Sequence, residues 1–224
     1  MYKYAIFDLD GTLLNTLGDL HSAVNFALRE YGFPERTVEE VRRFIGNGVV
    51  KLMERSTPDG TDKETDEKCL EKFRKYYLEH MKDTTAPYEG VLEMLKQLKE
   101  KGIKTAVVSN KLHTAVVGLC EDYFEGLIDV AIGVSVESER KPSPANVFRA
   151  LSEFGIAEAN IHNDIKAYTI YIGDSEVDVQ TAKNAALPCI GVTWGFRDEQ
   201  ELRKAGAEYI ADNTAEVLGV FSRQ

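Results

Sequence analysis

Short apolar runs of strand length alternate with stretches of helical periodicity, and this alternation restricts the possible folds more than any other feature of the chain. The runs are "YAIFD" (residues 4–8), "KTAVVS" (104–109), "IDVAIGV" (128–134), "YTIYIGD" (168–174) and "PCIGVT" (188–193). Between most of them apolar residues recur at helical spacing. "GVLEMLKQLKEKG" stops at Gly102, "SPANVFRALSEFG" opens with Ser143 as N-cap and Pro144 at the first helical position, and "SEVDVQTAKNAA" starts at Ser175, another N-cap. Strands joined through helices run parallel, so the expected fold is α/β, a doubly wound, Rossmann-like parallel sheet. One interval breaks the pattern. From Asn15 to about Thr85 no strand is evident, whereas helices are expected at "GDLHSAVNFALREYG", at "TVEEVRRFI" behind a Thr37/Glu40 capping box, at "GVVKLMERS" and at "DKETDEKCLEKFRKYYLEHMK". The expected organisation is an α/β core of residues 1–14 and 85–224, with an α-helical domain of residues 15–84 inserted after the first strand. "EANIHNDIKAY", before the fourth strand, reads as an exposed loop.

In an open parallel sheet, ligands bind outside the carboxyl ends of the strands. Here the first strand ends in Asp8 and Asp10, the second in Ser109, Asn110 and Lys111, and the fourth in Gly173, Asp174 and Ser175, with Asp178 one helical turn further on. Lys141 precedes a helix start, where free backbone N–H groups favour an anion. Taken singly, each has a structural explanation. Ser175 with Asp178 nearly makes a capping box, Ser109 and Asn110 suit a cap or turn, Lys141 a solvated surface, and Asp8 and Asp10 a strand-to-loop turn. Taken together they gather four carboxylates on one rim, an arrangement that is unfavourable without a cation.

The ligand type indicates which cation. Oxygen ligands without His or Cys suit a hard ion such as Mg2+, which keeps several waters and is completed by a substrate phosphate. Mg2+ and Lys141 then offset the carboxylates enough to admit a dianion, whose oxygens the N–H groups of Leu9 to Thr12 can receive. With the metal between them the two aspartates can divide the work. Asp8, nearest the rigid strand, is the better nucleophile, and Asp10, on the turn, the better acid/base. A net charge of −10 and a pI near 5.0 deny a nucleic-acid partner its usual electrostatic footprint. Cys69, Cys120 and Cys189 form no CxxC pair, no run reaches the ~18 apolar residues of a membrane span, and no signal-peptide pattern opens the chain, so a cytoplasmic protein without a membrane partner is expected.

These residues resemble the haloacid dehalogenase-like hydrolases, most of which are phosphatases. "DLDGT" is similar to the family's first motif, "VVSN" with Ser109 to the second, Lys141 in "RKPSP" to the third, and "GDSEVDV" to the fourth. The resemblance implies Asp8 as nucleophile and Asp10 as acid/base, with Ser109 and Lys141 as phosphate ligands beside Asn110. It implies Mg2+ held by Asp8, the Asp10 backbone carbonyl and Asp174, with Asp178 and Ser175 behind them. The dehalogenase members lack an acid/base at the position of Asp10, so its presence implies phosphoryl transfer. The inserted helices resemble the family's small cap, which closes over the site and implies a small phosphorylated metabolite as substrate. Within the family, "DGTLLNT", "RRFIGNGVVKLM", "GDSEVDVQTAKNA" and "GVTWGF" are most similar to the phosphoglycolate phosphatase branch, which implies 2-phosphoglycolate as leading substrate. Inorganic pyrophosphate, sugar phosphates and β-phosphoglucomutase-type transfer are the alternatives. In "FIGNGV", Gly46, Asn47 and Gly48 suit a substrate loop as well as an ordinary turn, and Arg42, Arg43 or Lys51 suit a substrate carboxylate. Ala186 stands where relatives often carry Gly at a helix end. Monomer and dimer both remain open.

Overall fold

The computed structural model describes residues 2–156 and 165–222. The chain divides into two compact units, Met1–Leu13 with Pro87–Gln224, and Leu14–Ala86.

In the first unit six parallel strands form one sheet in the order β5-β4-β1-β6-β7-β8. They are β1 (Tyr4–Phe7), β4 (Lys104–Leu112), β5 (Val130–Val134), β6 (Thr169–Gly173), β7 (Cys189–Val192) and β8 (Tyr209–Ala211). The central strands are buried on both faces, which is why they read as continuous apolar runs rather than alternating ones. Ala5, Ile6 and Phe7 of β1 have no exposed surface, and Ile6 packs with Ala106, Val108 and Tyr171 in one core cluster. The helices of this unit are α5 (Val91–Glu100), α6 (His113–Phe124), α7 (Ala145–Glu153), α8 (Glu176–Asn184), α9 (Glu199–Ala205) and α10 (Thr214–Ser222). From β1 the chain builds β4 and β5 on one side, then returns to lay β6, β7 and β8 on the other. The sheet therefore reverses direction at β1, and the crevice at such a switch point is where doubly wound sheets bind ligands.

β4 is longer than the apolar run "KTAVVS" suggests. Val108 pairs with Ile132 and Leu112 with Val134, so Ser109, Asn110 and Lys111 bulge opposite Gly133 alone. Gly133 permits this, because a side chain there would sit 2.5 Å from the Lys111 carbonyl oxygen and 2.7 Å from the His113 Cα. Helix α7 starts at Ala145, with Pro144 rather than Ser143 in the capping position. The loop expected over residues 158–168 lies outside the described residues as far as 164, and Ile165–Tyr168 form a 3-10 turn instead. The edge strand β8 and helices α6, α9 and α10 carry no expectation from the sequence pattern.

The end of α8 follows a chemistry that the sequence only hinted at. Ala186 N–H donates to Lys183 O and Leu187 N–H to Ala182 O, the paired bonds of a Schellman end, with Ala186 at φ 54°. That region favours glycine, and an alanine there carries strain of order 1 kcal/mol or more. Ala186→Gly is expected to raise stability by about 1 kcal/mol, a Tm increase of roughly 2–4 °C in a thermal melt.

In the second unit the helices are α1 (Leu17–Glu30), α2 (Val38–Phe44), α3 (Gly48–Ser56) and α4 (Lys63–His80), and the short strands β2 (Leu14–Asn15) and β3 (Ala86–Pro87) pair at its start and end. Leu20, Ala23, Val24, Ala27 and Leu28 of α1 meet Cys69, Phe73 and Tyr77 of α4 in a separate core, each set at helical spacing. The Thr37/Glu40 capping box opens α2 as expected. Buried Asp19 accepts the N–H and hydroxyl of both Thr84 and Thr85, tying the end of the unit to its first helix. Among the described residues no helix is long and apolar enough to cross a membrane.

Candidate active site

The carboxyl ends of β5, β4, β1 and β6 are neighbours in the sheet, and those ends with the segments that leave them bring Asp8 and Asp10 (after β1), Ser109, Asn110 and Lys111 (at the end of β4), Lys141 (after β5) and Asp174, Ser175 and Asp178 (after β6) within one network in the first unit. Asp8 follows β1 directly and is held there by its backbone N–H donating to Ile172 O at 2.9 Å. Its Oδ1 accepts the Leu9 N–H at 2.7 Å and faces Lys141 Nζ at 2.8 Å. Among the described residues Oδ1 takes every hydrogen bond the carboxylate receives, which leaves Oδ2 for other work.

Lys141 is almost fully buried and lies 2.7 Å from Asp178 Oδ1 as well as against Asp8. Burial alone would lower its pKa, but Asp178 and Asp8 hold it well above the ordinary lysine value. Its backbone is fixed too. Lys141 N–H donates to Asn110 Oδ1 at 2.7 Å, so the asparagine expected among the phosphate ligands uses its amide to hold the lysine's main chain. Asp178 is saturated, accepting from Ser175 N–H at 3.1 Å, Ser175 Oγ at 2.6 Å and the Tyr171 hydroxyl at 3.3 Å in addition to the lysine.

Asp174 accepts from Thr12 Oγ1 at 2.9 Å on one oxygen and from the Phe196 N–H at 2.7 Å on the other. Glycines at 11 and 195 allow this seat, since a methyl group at either would overlap Asp174, and Gly11 also stands at φ 85°. The Trp194 indole N–H donates to Thr12 O at 3.0 Å, so "GVTWGF" braces the turn after β1 as well as ending β7. Of the backbone N–H groups expected to receive phosphate oxygens, Leu9's goes to Asp8 and Thr12's to Leu9 O at 3.3 Å. The tight turn consumes these two.

The side chains of Asp8 and Asp10 take different partners. Asp10 is gripped at both oxygens by Lys111 Nζ, at 2.8 and 3.0 Å. The three carboxylates that approach one another are Asp8, Asp174 and Asp178, with ligand atoms within 4.8 Å. Two like charges at that distance repel by about 3 kcal/mol at an effective dielectric near 20, and burial adds to the cost. Burial pushes Asp8 up to about 7 against the pull of Lys141, with Asp178 and Asp10 contributing. Burial, then Asp178 and Asp8, raise Asp174 well above the carboxylate range. One lysine does not balance three clustered carboxylates, and a hard divalent cation on an all-oxygen donor set would. The site fits such an ion.

The sequence named Lys111 as a strand-end residue without giving it a role, and it did not single out Thr12, Tyr171 or the Phe196 N–H. Lys111 carries a recoverable signal in its spacing, two residues beyond Ser109. Arg43, Gly46 and Asn47 belong to the second unit, around the turn between α2 and α3, where Gly46 and Gly48 take φ 130° and 80°.

Residues 5–192 match the family described as haloacid dehalogenase-like hydrolase. The chain is 31% identical to a phosphoglycolate phosphatase of Thiobacillus denitrificans, over 96% of this chain and 93% of that one. It is 30% identical to a phosphoglycolate phosphatase of Haemophilus influenzae, over 98% of each. A crystal structure from Lactobacillus delbrueckii subsp. bulgaricus superposes with a TM-score of 0.89 at 35% identity, with 98% of each chain covered.

Proposed function

The chain belongs to the haloacid dehalogenase-like hydrolases, and from that premise we propose that it is a phosphatase that hydrolyses a small phosphomonoester, 2-phosphoglycolate foremost, through a phosphoryl group carried on Asp8. The single observation that carries this reading is the division of partners between two aspartates two residues apart, Asp8 on Lys141 and Asp10 on Lys111.

In the first step Asp8 Oδ2 attacks phosphorus in line, the ester P–O bond breaks, and Asp10 gives its proton to the departing oxygen. In the second, Asp10 takes a proton from water, the oxygen of that water attacks phosphorus, and the bond to Asp8 breaks to release phosphate. Lys141 and Ser109 receive phosphate oxygens, while Asn110 and Asp178 keep Lys141 in place. Mg2+ on Asp8, the Asp10 carbonyl and Asp174 would supply the counter-charge that lets a dianion approach a carboxylate. The inserted helices serve as the cap, and Arg43, Gly46 and Asn47 of that unit are the cap's candidate substrate residues. The relatives named phosphoglycolate phosphatase support the substrate.

The reading is tested by phosphate release with Mg2+ from 2-phosphoglycolate, pyrophosphate and sugar phosphates, with phosphate transfer on β-glucose 1-phosphate as a further arm. The highest kcat/KM is expected on 2-phosphoglycolate, and no release from any ester would sink the hydrolase reading. Metal and pH supply a second check. Asp8, raised from 3.8 to about 7 in the folded chain, binds its proton more tightly there than when unfolded. Without metal, its contribution is therefore fully present below about pH 4 and lost as pH rises through about 7. Mg2+ needs the ionised carboxylates, so the Tm gain from Mg2+ over EDTA is expected to be larger at pH 8 than at pH 5. An equal gain at both would contradict it.

A further inference from the structure

We infer that Lys111 reads the charge on the leaving group, its ammonium taking a carboxylate borne on the carbon next to the ester oxygen. This rests on the phosphatase reading, in which Asp10 meets that oxygen. The lysine is placed by the fold. It sits on the β4 bulge that Gly133 makes possible, its side chain is 7% exposed, and it holds both oxygens of Asp10 at 2.8 and 3.0 Å. An ammonium buried to that degree requires an anion beside it. When the Asp10 carboxyl turns to the leaving oxygen, part of that partnership is given up and another anion is favoured in its place.

Geometry limits where that anion can be. On a carbon bonded to the ester oxygen, a carboxylate lies within about 3–4 Å of that oxygen by ordinary bond lengths. Lys111, already at hydrogen-bond distance from Asp10, is therefore within reach of it. Lys141 is a poor alternative, because Asp8 and Asp178 already engage it at 2.8 and 2.7 Å. The substrate class is thus a phosphate ester of a 2-hydroxy acid, and esters with a neutral leaving group are disfavoured.

The test compares kcat/KM of the full-length, Mg2+-loaded enzyme on 2-phosphoglycolate and on 2-hydroxyethyl phosphate, which has a hydroxymethyl group in place of the carboxylate. Wild type is expected to prefer the acid by about 10- to 100-fold, the value of one charged hydrogen bond. Lys111→Met lowers both rates, because Asp10 loses its partner, and brings the ratio near one. Lys111→Arg keeps most of the preference, and Lys111→Gln, a second neutral variant, loses it should the Met variant fail to fold in a thermal melt. A ratio unchanged in the neutral variants, or one abolished by Arg43→Met instead, overturns the inference. Wild type active on both esters without preference overturns it too but leaves the phosphatase reading standing. No phosphate from any ester removes both.

Discussion

Asp8→Asn is expected to abolish turnover, with kcat lower by about 10^4-fold or more and the fold intact. The substitution preserves shape but removes the carboxylate proposed to attack phosphorus, and losing a nucleophile forfeits the whole covalent route rather than a fraction of it. Stability is expected to hold or improve. Asp8 is buried, and its carboxyl is pushed to about 7, so the charge it gives up is one the fold strains to keep. Lys141 retains Asp178 at 2.7 Å, which prevents the variant from stranding a buried cation. Steady-state kinetics on the best ester and a thermal melt check both halves. Residual turnover above about 1% would refute Asp8 as nucleophile.

Lys141→Met should fail differently, losing stability and activity together. With the ammonium gone, Asp8 and Asp178 are both left buried without their counter-charge. Breaking a buried pair from one side costs about 3–5 kcal/mol, which corresponds to a Tm decrease of roughly 6–20 °C in a chain of this size. kcat is expected to fall at least 10^3-fold, since the lysine proposed to receive phosphate oxygens is missing at the moment charge builds on them. The double variant Lys141→Met/Asp178→Asn separates the two effects: melting temperature is regained in part because one stranded carboxylate becomes neutral, while kcat stays low. Recovery of activity together with stability would show that Lys141 serves only the fold.

The parallel sheet is legible in the sequence because strands buried on both faces leave unbroken apolar runs, and helices announce themselves by caps such as Ser175 with Asp178 in the first unit and Thr37 with Glu40 in the second. Short elements escape. β8 has only Tyr209, Ile210 and Ala211, too few residues for any period to show. β4 extends to Leu112 because its bulge draws polar residues into the strand, where a propensity reading ends it at Ser109. Ala186 shows the opposite case, a departure visible in sequence whose strain appears only with its φ of 54°.

The site divides along the same line. By itself the sequence determined which groups stand at strand ends: Asp8 and Asp10 after the first strand, Ser109 to Lys111 after the second, Lys141 before a helix, Asp174 to Asp178 after the fourth. Position along a strand is a local property, written in apolar runs and caps. Partnership is not local. Only the tertiary structure decided that Lys111 grips Asp10 across 101 positions of sequence, that Asn110 holds the Lys141 backbone rather than facing outward, and that Asp178 is saturated by Lys141, Ser175 and Tyr171. Those pairings follow from the register of β4 and β6 against β1 and from the β4 bulge at Gly133, which sum interactions over the whole sheet. No short stretch of the chain contains them.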